Sequence, residues 1–237
     1  KPSASYTLLG FLTMVNILNF IDRQLLTSFS NFIVPDLGLT NTQFGLLSGF
    51  AFIIFYSLMG LIMGAIADRV HRPRFIAFAL ALWSVLTAVS GMAKNFWMLF
   101  IPRIFIGIGE SVLTPTALSL LSDRFSKSNM GFVAGFYTLA VPLGVAASLF
   151  IAGYLGPTLG WRNCFYGLGI IGVILALLML LFKETSTREL DIADQLTRDV
   201  INKKVFQESI TVLKSSLKAY PSLRLTILGG VAVHFIL

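Results

Sequence analysis

Residues 96–121 read FWMLFIPRIFIGIGESVLTPTALSLL, an apolar run broken by only two charges, Arg103 and Glu110. A helix needs about 20 residues to cross the hydrocarbon of a bilayer, and this run exceeds that length. Barrel strands, at about 9–11 residues, are too short to account for it, and a helix closes its own backbone hydrogen bonds in lipid. Each charge at mid-membrane costs about 2.5–3.5 kcal/mol on insertion scales, so neither is retained facing lipid without a partner. Seven residues separate the two, which is two helical turns; they face one direction about 10 Å apart along the axis and can line one cavity.

Working outward, comparable runs fall at Tyr6 to Val34, Thr42 to Ala67, Phe75 to Ala93, Met130 to Leu155 and Trp161 to Phe182, and a seventh opens near Leu223. The chain has 237 residues, 56% hydrophobic and 12% charged, against roughly 45–50% and about 25% in soluble domains. The spacing predicts an all-α membrane protein: a six-helix bundle over 1–182, a polar linker over 183–222 and the start of helix seven over 223–237. The first run carries Asp22 and Arg23 in its interior and lacks a small-residue cleavage pattern, so it reads as a retained span. Since the sequence opens without Met and stops inside a new apolar run, a longer chain is the simpler expectation.

The net charge of +7 does not point to nucleic acid, because the basic residues sit between apolar runs. They report topology. Arg69, Arg72, Arg74, Arg124 and Lys127 occupy alternate connections, and Lys183, Arg188, Arg198, Lys203, Lys204, Lys214 and Lys218 follow the sixth run; the opposite side offers only Lys94 and Arg162. Positive-inside bias puts the amino terminus and the linker in the cytoplasm. In the linker, Phe206, Ile210, Leu213, Leu217 and Tyr220 recur on one helix face, which fits an amphipathic helix on the membrane surface or an exposed helical connector. Cys164 is the single cysteine, and His71 and His234 are far apart in sequence, so no metal, disulfide or cofactor is indicated.

Four ionisable residues fall deep inside the spans: Asp22 and Arg23 in the first, Arg103 and Glu110 in the fourth. Two acids and two bases compensate one another, with Asn16 and Asn19 adding to the polar side of the first span. The residues predict a chamber reachable by water in which Asp22 and Glu110 exchange protons, with Arg23 and Arg103 pairing them or an anionic substrate group. A static set of ion pairs fastening the first span to the fourth is the plainer alternative.

Gly64, Asp68, Arg69, Arg72 and Arg74 form a G-x-x-x-D-R-x-x-R pattern at the end of the second span, read as a cytoplasmic gate. Gly135, Pro142 and Gly144 in GFYTLAVPLG are hinge candidates, although packing alone also explains such glycines. Phe50, Tyr56, Tyr137 and Thr138 are candidate cavity walls. Pro35 is expected to close the first helix, Thr40 with Gln43 to open the second through a capping box, and Pro102, Pro115 and Pro142 to kink the fourth and fifth.

The fragments NFIDRQLL, LGLTNTQFGLLSGFAF, GAIADRVHRPR, PRIFIGIGES, SDRFS, GFYTLAVPLG and GWRNCFYGLG together resemble the spinster-like branch of the major facilitator superfamily across Tyr6 to Phe182. That resemblance implies a twelve-helix carrier working by alternating access, of which this is the amino-terminal half. It further implies lysophospholipid or sphingoid substrates and proton coupling, with Asp22 and Arg23, Arg103 and Glu110, and Asp68, Arg69 and Arg72 matching the family's helix-one, helix-four and gating motifs. The implied partners are membrane lipids, an amphipathic or anionic substrate, protons and the carboxy-terminal helix bundle, and the implied site is a bacterial inner membrane. Drug, sugar-acid or other organic-anion transport on the same scaffold is the alternative. An intramembrane enzyme is disfavoured, as H-E-x-x-H, G-x-S-x-G and a Gly-rich nucleotide loop with Lys do not occur.

Overall fold

The computed structural model describes residues 2–67 and 69–184. Asp68, the linker beyond Glu184 and the expected seventh span lie outside the described residues. Every regular element among the described residues is helical. The first span is α1 (Pro2–Ser28) continued by α2 (Ser30–Leu37), and the second is α3 (Asn41–Gly45), a π-helical turn (Leu46–Phe50) and α4 (Ala51–Ala67). The third is α5 (Arg72–Ser90), and the fourth is α6 (Phe96–Glu110) with α7 (Leu113–Ser122). The fifth comprises α8 (Met130–Thr138), α9 (Ala140–Phe150) and a second π-helical turn (Ile151–Leu155), and α10 (Gly156–Met179) carries the sixth.

Residues 130–179 form a 50-residue helical stretch that would measure about 75 Å at 1.5 Å per residue, far more than the roughly 30 Å of hydrocarbon. Gly160 divides it. With φ 77° and ψ 153°, a conformation open to a residue lacking Cβ, it ends the fifth span and lets the sixth begin at Trp161.

The capping box at Thr40 forms as expected: the Thr40 N–H donates to Gln43 Oε1 at 2.9 Å and the Gln43 N–H donates to Thr40 Oγ1 at 3.2 Å. Pro35, by contrast, does not close the first helix. It lies inside α2, which ends in a Schellman cap at Gly38 (φ 59°), where the Leu39 N–H reaches Val34 O at 3.0 Å. Two of the three prolines expected to bend helices coincide with interruptions. Pro115 cannot donate to Ser111 O, and the fourth span breaks at Ser111–Val112; Pro142 cannot donate to Thr138 O, and the fifth breaks at Leu139. Pro102 leaves α6 uninterrupted.

The main helix pairs are α5 with α10, α1 with α9, α5 with α6, and α4 with α6. If the first three spans and the last three are inverted repeats of each other, exchanging them maps α1–α9 onto α4–α6 and α5–α10 onto itself, as in a 3+3 unit, whereas α5–α6 has only a weak counterpart in α1–α10. Helices in lipid gain little from hydrophobicity when they associate and depend on close packing. At Gly144 a Cβ would lie 2.5 Å from Phe20 Cβ and 2.9 Å from Ile17 O, so α1 and α9 touch at a distance only glycine permits. The outside of the bundle is apolar: Phe78, Phe132, Phe150, Leu177 and Leu181 are exposed. Trp97 and Tyr154, also exposed, ring the end that carries Asp36, as amphipathic aromatics do at a membrane interface.

Candidate functional site: a charged centre between the first, third and fourth spans

Asp22 and Arg23 are consecutive on α1 and therefore point about 100° apart. They separate accordingly. Arg23 shares its face with Asn19 and Asn16, four and seven residues earlier, and turns towards α6. Its Nε and Nη2 donate to Glu110 Oε2 at 3.4 and 3.3 Å, and Nη2 also donates to Asn19 Oδ1 at 3.4 Å. The guanidinium lies 4.3 Å from the Tyr56 ring centroid, 4.8 Å from that of Phe20 and 5.0 Å from that of Phe52. An arginine is held over aromatic faces by their quadrupoles, a contact strengthened by desolvation.

Asp22 turns to the third span instead. Its Oδ2 accepts a hydrogen bond from Thr87 Oγ1 at 2.5 Å, and it forms no ion pair among the described residues. Arg103 is engaged by backbone rather than by either acid: Nη2 donates to Arg23 O at 2.8 Å and Nη1 to Asp22 O at 3.5 Å, with Phe52 4.6 Å beneath the guanidinium. The expected pairing of both arginines with both acids is thus realised once, between Arg23 and Glu110. Asp22 is 4% exposed and Glu110 1% exposed, so the acids are shielded from outside this bundle. Arg23 is the more accessible partner, with 13% of its side chain exposed.

Hydrogen-bonding capacity at this centre is only partly used. Glu110 Oε1, Arg103 Nε, Asn16 Oδ1 and Asn19 Nδ2 are buried without a hydrogen-bond partner, whereas most buried polar atoms have one. Tyr56 is the aromatic wall that sequence placed here, stacked on Phe52 with ring centroids 5.5 Å apart. Phe50 is 49% exposed, carried away by the π-helical turn. Phe52 takes the position beneath both arginines, and only the helical register of the second span could have distinguished the two. Tyr137 is buried and its carbonyl accepts from Asn16 Nδ2 at 3.2 Å, while Thr138 is exposed with its hydroxyl returned to Ala134 O at 2.7 Å.

At the basic end, Arg72 is fully buried. Its Nη2 meets Glu184 Oε1 and Asp123 Oδ2 at 2.6 Å each, Nη1 donates to Ser119 Oγ at 3.0 Å, and its backbone N–H donates to Glu184 Oε2 at 2.9 Å. Arg124 donates to Lys183 O beside it. This clamp joins the start of α5, the end of α7 and the chain after α10. Asp123 and Glu184 did not stand out in the sequence, where charges in basic connections read as topology. Arg69 and Arg74 are exposed, and Gly64 would bring a Cβ within 3.8 Å of Pro115. Among the hinge candidates, Gly135 and Pro142 are exposed and Gly144 is a contact point.

At the opposite end Asp36 accepts from Arg162 and from Trp161 Nε1, the latter at 3.1 Å, and Arg162 Nη2 donates to Ala93 O at 3.0 Å. Arg162 holds the Asp36 carboxyl below the usual carboxylate range.

A bundle of this topology with a charged centre shared by its first and fourth spans defines a class of membrane carrier. The Major Facilitator Superfamily model matches residues 12–237, and the chain belongs to that superfamily. Within it the chain is similar to spinster proteins, among others. It superposes on a bacterial homolog of the human lysosomal transporter Spinster, in an inward-facing and unoccupied conformation, with a TM-score of 0.72 and 28% identity, over 77% of this chain and 44% of that one. An MFS-type efflux pump of Mycolicibacterium smegmatis is 34% identical over 76% of the chain and 42% of its own length. A probable L-galactonate transporter of Escherichia coli is 32% identical over 68% and 35%. A sphingosine-1-phosphate transporter, SPNS2, of Xenopus tropicalis is 28% identical over 78% and 36%. The chain therefore spans well under half the length of these relatives.

Proposed function

We propose that this chain is the amino-terminal half of a secondary active transporter that moves an amphipathic, lipid-like substrate by alternating access, driven by protons. The observation that carries the reading is the Arg23–Glu110 pair, at 3.3 Å, joining the first and fourth spans at membrane depth. Ion pairs at such depth are costly and concentrate at transport pathways. Protonation of Glu110 removes the charge that holds Arg23, leaving the guanidinium on its aromatic bed and able to take the phosphate or carboxylate of a substrate. Loss of the proton on the other side restores the pair and expels the anion. The spinster-like relatives favour a lipid bearing such a headgroup; the L-galactonate transporter favours a small organic anion as the second reading. The basic end, with the amino terminus, faces the cytoplasm in this scheme.

The test is uptake of labelled lysophospholipid by the protein in liposomes, with and without an imposed pH gradient, beside a labelled sugar acid. Gradient-dependent lysophospholipid uptake that is lost in Glu110→Gln supports the proposal. Sugar-acid uptake alone selects the second reading, and uptake by Asp22→Asn/Glu110→Gln at the wild-type gradient dependence removes proton coupling through these acids.

A further inference from the structure

Asp22 is a deep acid whose partner was not legible in the sequence. An aspartate with 4% exposure would normally be held by a cation, yet both neighbouring arginines are committed elsewhere, Arg23 to Glu110 and Arg103 to two backbone carbonyls. What meets the carboxyl is the hydroxyl of Thr87 on α5, at 2.5 Å. That hydroxyl also lies 3.0 Å from Trp83 O. A hydroxyl has one proton to give and two lone pairs. Towards a carboxylate, Thr87 donates; towards a neutral acid, it accepts from Asp22 and turns its own hydrogen bond to Trp83 O. It can therefore serve Asp22 in either state without moving.

The geometry points to Thr87 as a positioning residue for proton coupling, docking Asp22 against the third span and supplying the hydroxyl that hydrogen-bonds its carboxyl in both protonation states. This rests on the proton-driven reading above and deepens it: Glu110 exchanges its proton against an arginine, Asp22 against a hydroxyl. The charged groups facing Asp22 are Arg23 on its own helix and Arg103 and Glu110 on α6. From α5 only Thr87 faces it; α9 carries no charged residue, and Arg162 of α10 is bound to Asp36 and Ala93 O. Among the described residues, Thr87 supplies the side-chain donor to Asp22. A buried carboxylate without a donor is far costlier than a buried neutral acid.

Infrared difference spectroscopy of the protein in liposomes follows the C=O stretch of protonated carboxylic acids as pH is raised and needs no substrate. The expected result is a band abolished by Asp22→Asn and retained in Glu110→Gln. In Thr87→Val it should persist about one pH unit, or tenfold in proton concentration, further into the alkaline range, and Thr87→Ser should restore the wild-type profile. Thr87→Cys, with a weaker donor, should fall between and serves if the valine variant does not fold. An Asp22 band indifferent to Thr87→Val or Thr87→Cys, or the absence of any band lost in Asp22→Asn and kept in Glu110→Gln, overturns the assignment. Failure of gradient-driven uptake, with the band behaving as expected, would instead count against the transport reading.

Discussion

Arg72 and Arg103 are both buried, 0% and 5% exposed, and their surroundings differ in kind. Arg72 meets two carboxylates and a serine at 2.6–3.0 Å, with Glu184 also accepting from its backbone N–H. Around Arg103 the acids are held by other residues, its Nε has no hydrogen-bond partner, and Glu110 Oε1 has none either. Satisfied polar networks rigidify a fold; an under-satisfied one keeps its alternatives open. The difference separates a clamp, which fixes three chain segments at the basic end, from a centre whose pairing is exchanged in the function proposed above.

The largest expected effect tests the clamp. Arg72→Met removes the cation that Glu184 and Asp123 share and should cost about 3–5 kcal/mol of unfolding free energy, measured in mixed micelles. Glu110→Gln should cost less, about 1.5–3 kcal/mol, because Arg23 keeps Asn19 and three aromatic rings. Equal losses would erase the distinction between the two regions. A smaller loss for Arg72→Met than for Glu110→Gln would reverse it.

The fold was legible because lipid imposes a simple rule: long apolar runs become helices, and charges within them point inward. Arg103 and Glu110 announced the fourth span's inner face. Partner choice was less legible, since it depends on helical rotation and on other spans. Asp22 and Arg23 are neighbours in sequence yet lie on faces about 100° apart, so reading them as one pair concealed Thr87. Phe50 and Phe52 are two residues apart, and the π-helical turn decided which reached the arginines. Glu184 was hidden by its place at the start of a polar linker.

The glycines sharpen the comparison at the next scale down. Gly144 and Gly135 lie in one hinge-like segment, but a Cβ at Gly144 meets Phe20 at 2.5 Å, whereas one at Gly135 meets nothing within 4 Å. Gly144→Ala should therefore cost about 1–3 kcal/mol through overpacking, while Gly135→Ala should gain about 0.5–1 kcal/mol of helix stability. If Gly135→Ala slows transport in liposomes despite that gain, bending at Gly135 matters to the cycle; unchanged rates assign the bend to the break at Leu139.

The smallest effect belongs to the far end, where the Asp36–Arg162 pair is open to water, with side chains 42% and 37% exposed. Exposed pairs contribute about 0.2–1 kcal/mol, so Asp36→Asn should lower the unfolding midpoint only slightly. Because Arg162 holds the Asp36 carboxyl below its usual range, folding favours its ionised form. The contribution is full above the ordinary carboxylate value of about 3.9 and is lost as pH falls through the lower value of the folded protein. The gap between wild type and Asp36→Asn should accordingly be present at neutral pH, shrink as the medium is acidified below that range, and narrow with added salt. The Arg72–Glu184 clamp, with both side chains fully shielded, should hold its contribution as salt is raised. A clamp that weakened with salt in parallel with the Asp36 pair would show that water reaches it, and its fixed character would no longer follow from burial.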